Sequence, residues 1–182
     1  VGGIQNFSQT VTVGCTALLA VGFGWAFAHF PAREPRGVCL WLAVATACLQ
    51  RCAAGPLAPG LALAAGAGLC AAMAGTLEQT AVLSIALAAA ITASGPALAF
   101  AALAVALGSL AAGCLCPGER WRCAGVFAAG CTVGALAAPD AVHAVPLAVG
   151  AGVGMAAAMA LPSGALRRVF PPPAPPVQAQ GL

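Results

Sequence analysis

Asp140 and His143 are the nearest thing in this sequence to an acid–base pair. Three residues apart on a helix, their side chains share a face. They would form a proton or ligand site there, or a solvated helix cap. Arg51 stands alone between two apolar runs. It would attract an anion, or lay its stem along apolar surface with its head in water. Gly95-Pro96 interrupts a third apolar stretch, and a broken helix exposes backbone carbonyls able to coordinate an ion. Arg51, Gly95, Pro96, Asp140 and His143 are therefore the candidate pathway residues. Glu78 and His29 fall at the edges of apolar runs. No carboxylate lies inside one, so the buried acid that coupled transport normally uses is missing.

Nine cysteines raise metal and redox chemistry. Cys114, Cys116 and Cys123 cluster, but a zinc site needs four ligands at suitable spacing and no histidine is near. Cys15, Cys39, Cys48, Cys70 and Cys131 read as small apolar fillers, and Cys52 falls in a connection without an obvious partner. No nucleophile–base pair, phosphate-binding loop, HExxH or dinucleotide fingerprint is present. The expectation is no enzyme, no cofactor and no metal.

These residues must be positioned by an apolar framework. The chain is 62 % hydrophobic and 6 % charged, with a mean hydropathy of +0.99. A soluble domain carries about 25 % charged residues, so lipid is the expected solvent for most of this surface. The net charge of +3 comes from scattered arginines, not a basic cluster with interleaved aromatics, which excludes a nucleic-acid surface. Lys and Tyr are absent and Asn and Ile are scarce, as in a GC-rich bacterial or viral genome.

Seven apolar segments follow one another: 11–30, 38–50, 57–75, 81–94, 97–113, 123–138 and 141–161. The expected fold is an all-α, polytopic transmembrane helical bundle, with residues 1–10 as an external N-terminal segment and 11–161 as the membrane domain. Residues 162–182 would be a disordered, Pro-rich cytoplasmic tail with polyproline II character, able to meet an SH3- or WW-type groove. A spanning helix needs about 20 apolar residues (range roughly 17–25). Segments one, three, five and seven meet that length. Segments two, four and six are short, and a re-entrant hairpin at Gly95-Pro96 would reduce the count to five spans. Short and long segments alternate as three pairs, a pattern that suggests a repeated hairpin. Pro146 would delay or kink the last segment.

The arginines orient the bundle. With seven crossings, Arg33, Arg36, Arg120, Arg122, Arg167 and Arg168 fall on one side and Arg51 alone on the other. Positively charged loops stay in the cytoplasm. The N-terminus is expected outside and the C-terminus inside, in a bacterial inner or plasma membrane or in a viral envelope or host membrane. Asn6-Phe7-Ser8, a glycosylation pattern, then falls outside. Close helix approach in lipid requires small residues, and Gly130/Gly134 and Gly150/Gly154 supply two such faces. Trp25, Trp41 and Trp121 lie near segment ends, where an indole keeps its N–H wet.

Trp41 on the second segment, the close helical pairs, and Gly118-Glu119-Arg120-Trp121-Arg122 leading into a Gly-rich helix are similar to the membrane half of fusaric-acid-resistance / aromatic-acid-exporter proteins. The resemblance covers roughly residues 37–161. It implies an exporter-like domain moving a small organic solute, with lipid and a second copy or second membrane half as partners. The extra first segment and the outside N-terminus depart from that pattern, and no functional residue is carried over. The composition equally matches multi-spanning envelope proteins of GC-rich herpesviruses, which implies a membrane scaffold acting through partners.

Overall fold

A computed structural model describes Gly24, Ala28 and residues 35–52, 56–138 and 140–170. The first apolar segment (apart from Gly24 and Ala28), Asn6, Trp25, His29, Arg33 and the tail 171–182 lie outside the described residues, as does the side chain of Arg36. Among the described residues the fold is all-helical. Its elements are α1 (Pro35–Gln50), α2 (Pro59–Ala74), α3 (Leu77–Ser94), a 3-10 turn (Pro96–Leu98), α4 (Ala99–Leu115), α5 (Arg120–Leu136), α6 (Ala141–Ala160) and α7 (Ser163–Val169).

Helix lengths differ from those expected from the apolar runs. The short segments gain a turn at their N-termini from residues that read as connections. Pro35 to Gly37 open α1, Leu77 to Thr80 open α3, and Arg120 to Arg122 open α5. The reason is local: the first turn of a helix has free N–H groups that polar side chains and water satisfy, so hydropathy undercounts it. At α3 a capping box does this. The Gln79 amide donates to Thr76 Oγ1 and the Thr76 amide to Gln79 Oε1, both at 3.2 Å, the reciprocal arrangement that fixes a helix start. The expected short-then-long alternation is thereby lost in the first two pairs, with 16 and 16 and then 18 and 17 residues, and kept in the third, with 17 and 20. Pro146 neither delays α6 nor ends it, since the helix begins at Ala141 and runs on through the proline. By length and composition, Leu77–Ser94 and Ala141–Ala160 could cross a bilayer, whereas Gly37–Gln50, Pro59–Ala74 and Ala99–Leu115 are apolar but shorter. Within the tail, α7 is ordered helix rather than extended chain, because Leu166 and Phe170 give it an apolar face that is buried.

At the centre lies α2. Its sequence is Ala, Leu and Gly on every face, good helix formers apart from glycine, and Pro59 at its first turn presets the entry angle. A helix apolar all round must be covered all round. Eleven of its sixteen residues are buried, and α1, α3, α4, α5, α6 and α7 all pack on it. From α1 to α6 the helices alternate in direction, as the contacts Gly60–Gln50, Thr80–Ala71, Ser84–Ser109, Gly130–Gly108 and Gly134–Ala104 and the parallel α2–α6 contacts require, which gives the bundle two ends. One gathers the start of α1, the joints α2–α3, α4–α5 and α6–α7, and Arg120, Arg122, Arg167 and Arg168; we call it the arginine-rich end. The opposite end gathers the other joints, with Arg51, Gly95, Asp140 and His143.

Small and a few hydroxyl-bearing residues are buried while large apolar ones face outward. Thr46, Thr80, Ser84 and Ser109 are at most 1 % exposed, while the apolar Ile85, next to Ser84 on α3, is 67 % exposed. Leu103, Leu107, Val133, Leu136, Val142 and Val153 also face outward, and the buried side is mostly Ala, Gly and Cys with a few Leu, Ile and Phe.

Candidate functional site

The glycines are where the backbones meet. A methyl group on Gly154 would overlap the Ala62 carbonyl, and would lie 2.7 Å from the Gly66 amide nitrogen. On Gly150 it would lie 2.8 Å from Leu61 Cβ. These two residues therefore set the α2–α6 contact. On α5, a methyl on Gly130 would come 2.8 Å from Gly108 Cα, and one on Gly134 would overlap the Ala104 methyl, so this pair sets the α4–α5 contact. Gly125 and Gly152 have open space around them; they belong to the same glycine-rich helices but not to the packed faces.

Where α2, α3 and α4 meet, Ser84 and Ser109 share a 2.7 Å hydrogen bond over Gly68. The Ser109 hydroxyl also lies 2.8 Å from the Val105 carbonyl and 3.0 Å from the Ala106 carbonyl of its own helix, both able to accept from it. Thr80 donates within hydrogen-bond distance of the Ala71 and Thr76 carbonyls. These hydroxyls satisfy one another and the backbone, which is how buried polar groups avoid the cost of desolvation. Thr46 Oγ1 and Gln50 Oε1, one turn apart on α1, are buried with no partner. Sequence reasoning missed these residues; Thr46, Ser84 and Ser109 are single polar residues inside apolar runs, the signal that could have found them, whereas Thr80 stands in a polar stretch that reads as a connection.

The candidate pathway residues share the opposite end but do not converge. Arg51 is exposed in the turn after α1. Gly95 has extended backbone and open space around it, and the 3-10 turn from Pro96 leads directly into α4. Asp140 is the N-cap of α6 without a side-chain cap bond. Its carboxylate lies 3.9 Å from His143 Nδ1, beyond hydrogen-bond reach. That nitrogen is buried without a partner, and its ring sits edge-on to Phe100 at 6.4 Å.

The arginine-rich end is more closely built. Arg120 Nη2 donates to the carbonyl of Leu161, which ends α6, placing a cation at the negative end of that helix. Arg122 pairs with Glu119 at 2.9 Å, both side chains largely exposed. Between them and α4, Cys116-Pro117-Gly118-Glu119 closes a turn by a 3.2 Å bond from the Glu119 amide to the Cys116 carbonyl. Gly118 has φ +82°, and Pro-Gly at the two central positions is the pattern of a type II turn. Cys123 donates its thiol proton to the Cys116 carbonyl at 2.8 Å. Among the described residues no three His, Cys, Asp or Glu side chains gather as a metal site would require. Trp121 is exposed in the first turn of α5.

Beside this end, α1, α2, α6 and α7 enclose a groove of about 460 Å³. Gly66, Gly154 and Ala158 are among the small residues that line it, with Leu42, Leu166 and Phe170. Its lining is apolar apart from the Cys70 thiol. It was not visible in the sequence, because α7 was read as tail. Comparison with family models, with curated proteins and with solved structures gives no match to this chain.

Proposed function

We propose that the chain is a multi-pass integral membrane protein whose helical bundle is an exporter-like domain for a small organic solute. The observation that carries the membrane part of this reading is the apolar outer surface of the helices. Ser84 and Ser109 are buried at helix contacts while Ile85, Leu107 and Val133 face out. So many large apolar side chains facing out are unfavourable in water and not in lipid. Helices of 16 to 20 residues rise about 24–30 Å, close to the roughly 30 Å hydrocarbon core, and local thinning absorbs the shortfall of the shorter ones. The arginine-rich end faces the cytoplasm by the positive-inside rule, with Trp41 and Trp121 at that interface. The count is seven spans if residues 11–30 cross, or five with a re-entrant α3–α4 pair. The N-terminus lies outside in both.

The lateral groove offers an amphipathic solute a way in from the bilayer. Reconstituted vesicles should show flux of aromatic or other small amphipathic acids above empty vesicles, and no flux across a broad panel would end the exporter reading. Orientation has its own test. In intact cells an impermeant maleimide should label the exposed Cys52 and spare the exposed Cys114; the reverse pattern inverts the topology.

A second reading, a membrane scaffold or viral envelope component that acts through partners, is favoured by the backbone contacts at Gly66–Gly154 and Gly108–Gly130. These leave little room for a polar path through the described interior.

A further inference from the structure

Arg167 and Arg168, on the α7 wall of the groove, form no ion pair with a described carboxylate. One of its walls is α7, which contributes Ala165, Leu166 and Val169, while the intervening Arg167 and Arg168 point out and are exposed. Arg120 grips the carbonyl of Leu161, itself a lining residue, through Nη2. Its Nε is buried and has no partner. The nearest acid in sequence, Glu119, is taken by Arg122. An apolar trough whose α7 wall carries the exposed Arg167 and Arg168, and whose lining residue Leu161 is held by Arg120, is complementary to a hydrocarbon chain with a negative head. Its volume falls within the roughly 300–1,000 Å³ range of sites that take small amphiphiles.

We propose that this groove holds an acyl chain of an anionic phospholipid, with its phosphate held by Arg167, Arg168 and Arg120. The proposal rests on the membrane reading above. Moving an acyl chain from bulk lipid into an apolar groove gains little, since lipid tails are as apolar as the groove wall. Selection must then come from the head group. A basic residue near the membrane surface favours an anionic lipid by about 1 kcal/mol, or roughly fivefold. A zwitterionic head group would bring its own cation against the arginines.

The test uses the full chain in micelles containing equal amounts of phosphatidylglycerol and phosphatidylcholine, with retained lipid read by native mass spectrometry. The expected result is about tenfold or greater retention of phosphatidylglycerol. Replacing both exposed arginines (Arg167→Gln with Arg168→Gln) should cut that preference at least fivefold without loss of fold, and Arg120→Gln should cut it further. Ala157→Trp fills the groove from an exposed lining position and should reduce retention of both lipids at unchanged thermal stability. Equal retention of the two lipids overturns the proposal, as does a preference that survives removal of all three arginines or lipid retention untouched by Ala157→Trp. Lipid that binds only after residues 1–34 are deleted would mean the chain's own apolar segment 11–30 fills the groove, which also overturns it. Alkaline carbonate separates this failure from that of the membrane reading. Release of the chain from membranes sinks the membrane reading, whereas a carbonate-resistant chain with no head-group preference sinks the lipid site alone.

Discussion

At the arginine-rich end, α5 starts beside the place where α6 stops, and Arg120 joins the two through the Leu161 carbonyl. A hydrogen-bonded Pro-Gly turn, a capping box and the folded-back α7 complete that end. At the opposite end the joints are short, Asp140 caps nothing with its side chain, Gly95 sits in open space, and His143 Nδ1 is buried without a partner. The same helices connect both ends, so helix propensity does not explain the difference. At the first end Arg120 and Thr80 bond to carbonyls of other elements, whereas at the other Thr92, Ser94 and Thr132 bond only within their own helices. The first end is therefore the one whose geometry depends on particular side chains.

The sharpest way to break that asymmetry is at the α2–α6 contact near the arginine-rich half. Gly154→Leu would drive a side chain into the Ala62 carbonyl and the Gly66 backbone. Overpacking a tight site costs about 1–3 kcal/mol and more when backbone must move, so thermal unfolding in detergent should show the largest loss of any substitution here. Gly152→Ala, two residues away in open space, should instead stabilise by roughly 0.5–1 kcal/mol through helix propensity. Next in size is the joint replacement Leu166→Ala with Phe170→Ala. Removing both buried side chains should cost ~2 kcal/mol or more, and limited trypsin digestion should then cut at Arg167 and Arg168 faster than in the parent chain. If digestion is unchanged, α7 is not held by its apolar face.

A smaller comparison sets two glycines against each other, one at each end. Gly118 has φ +82°, where a side chain costs about 1–2 kcal/mol, so Gly118→Ala should lower the unfolding midpoint. Gly95 has extended backbone and no neighbour within 4 Å; Gly95→Ala should change stability by less than ~0.5 kcal/mol. Equal effects at the two positions would erase the contrast between the ends. The smallest effect belongs to Arg122→Gln. Its ion pair with Glu119 is solvent-exposed, and such pairs contribute ~0–1 kcal/mol, with any loss disappearing at high salt.

Much of the architecture was written in the order of residues. Helical class and the breaks at Gly95-Pro96 and within 114–122 follow from composition and punctuation, which act locally and need no fold to be read. Gly130, Gly134, Gly150 and Gly154 could be singled out from spacing alone, since i, i+4 glycines share a helix face. Spacing did not show which neighbour each would meet, nor that Gly125 and Gly152 would meet none. Helix starts were legible only in part, because the residues that satisfy free N–H groups are polar and look like loop until the cap is seen. Tertiary structure alone decided three things: that α2 is the covered axis, that Ser84 meets Ser109 across 25 residues of chain, and that α7 folds back to make a groove beside Arg120. Each depends on which surfaces come into contact, and contact between distant segments is set by how whole helices pack, information no local stretch of sequence contains.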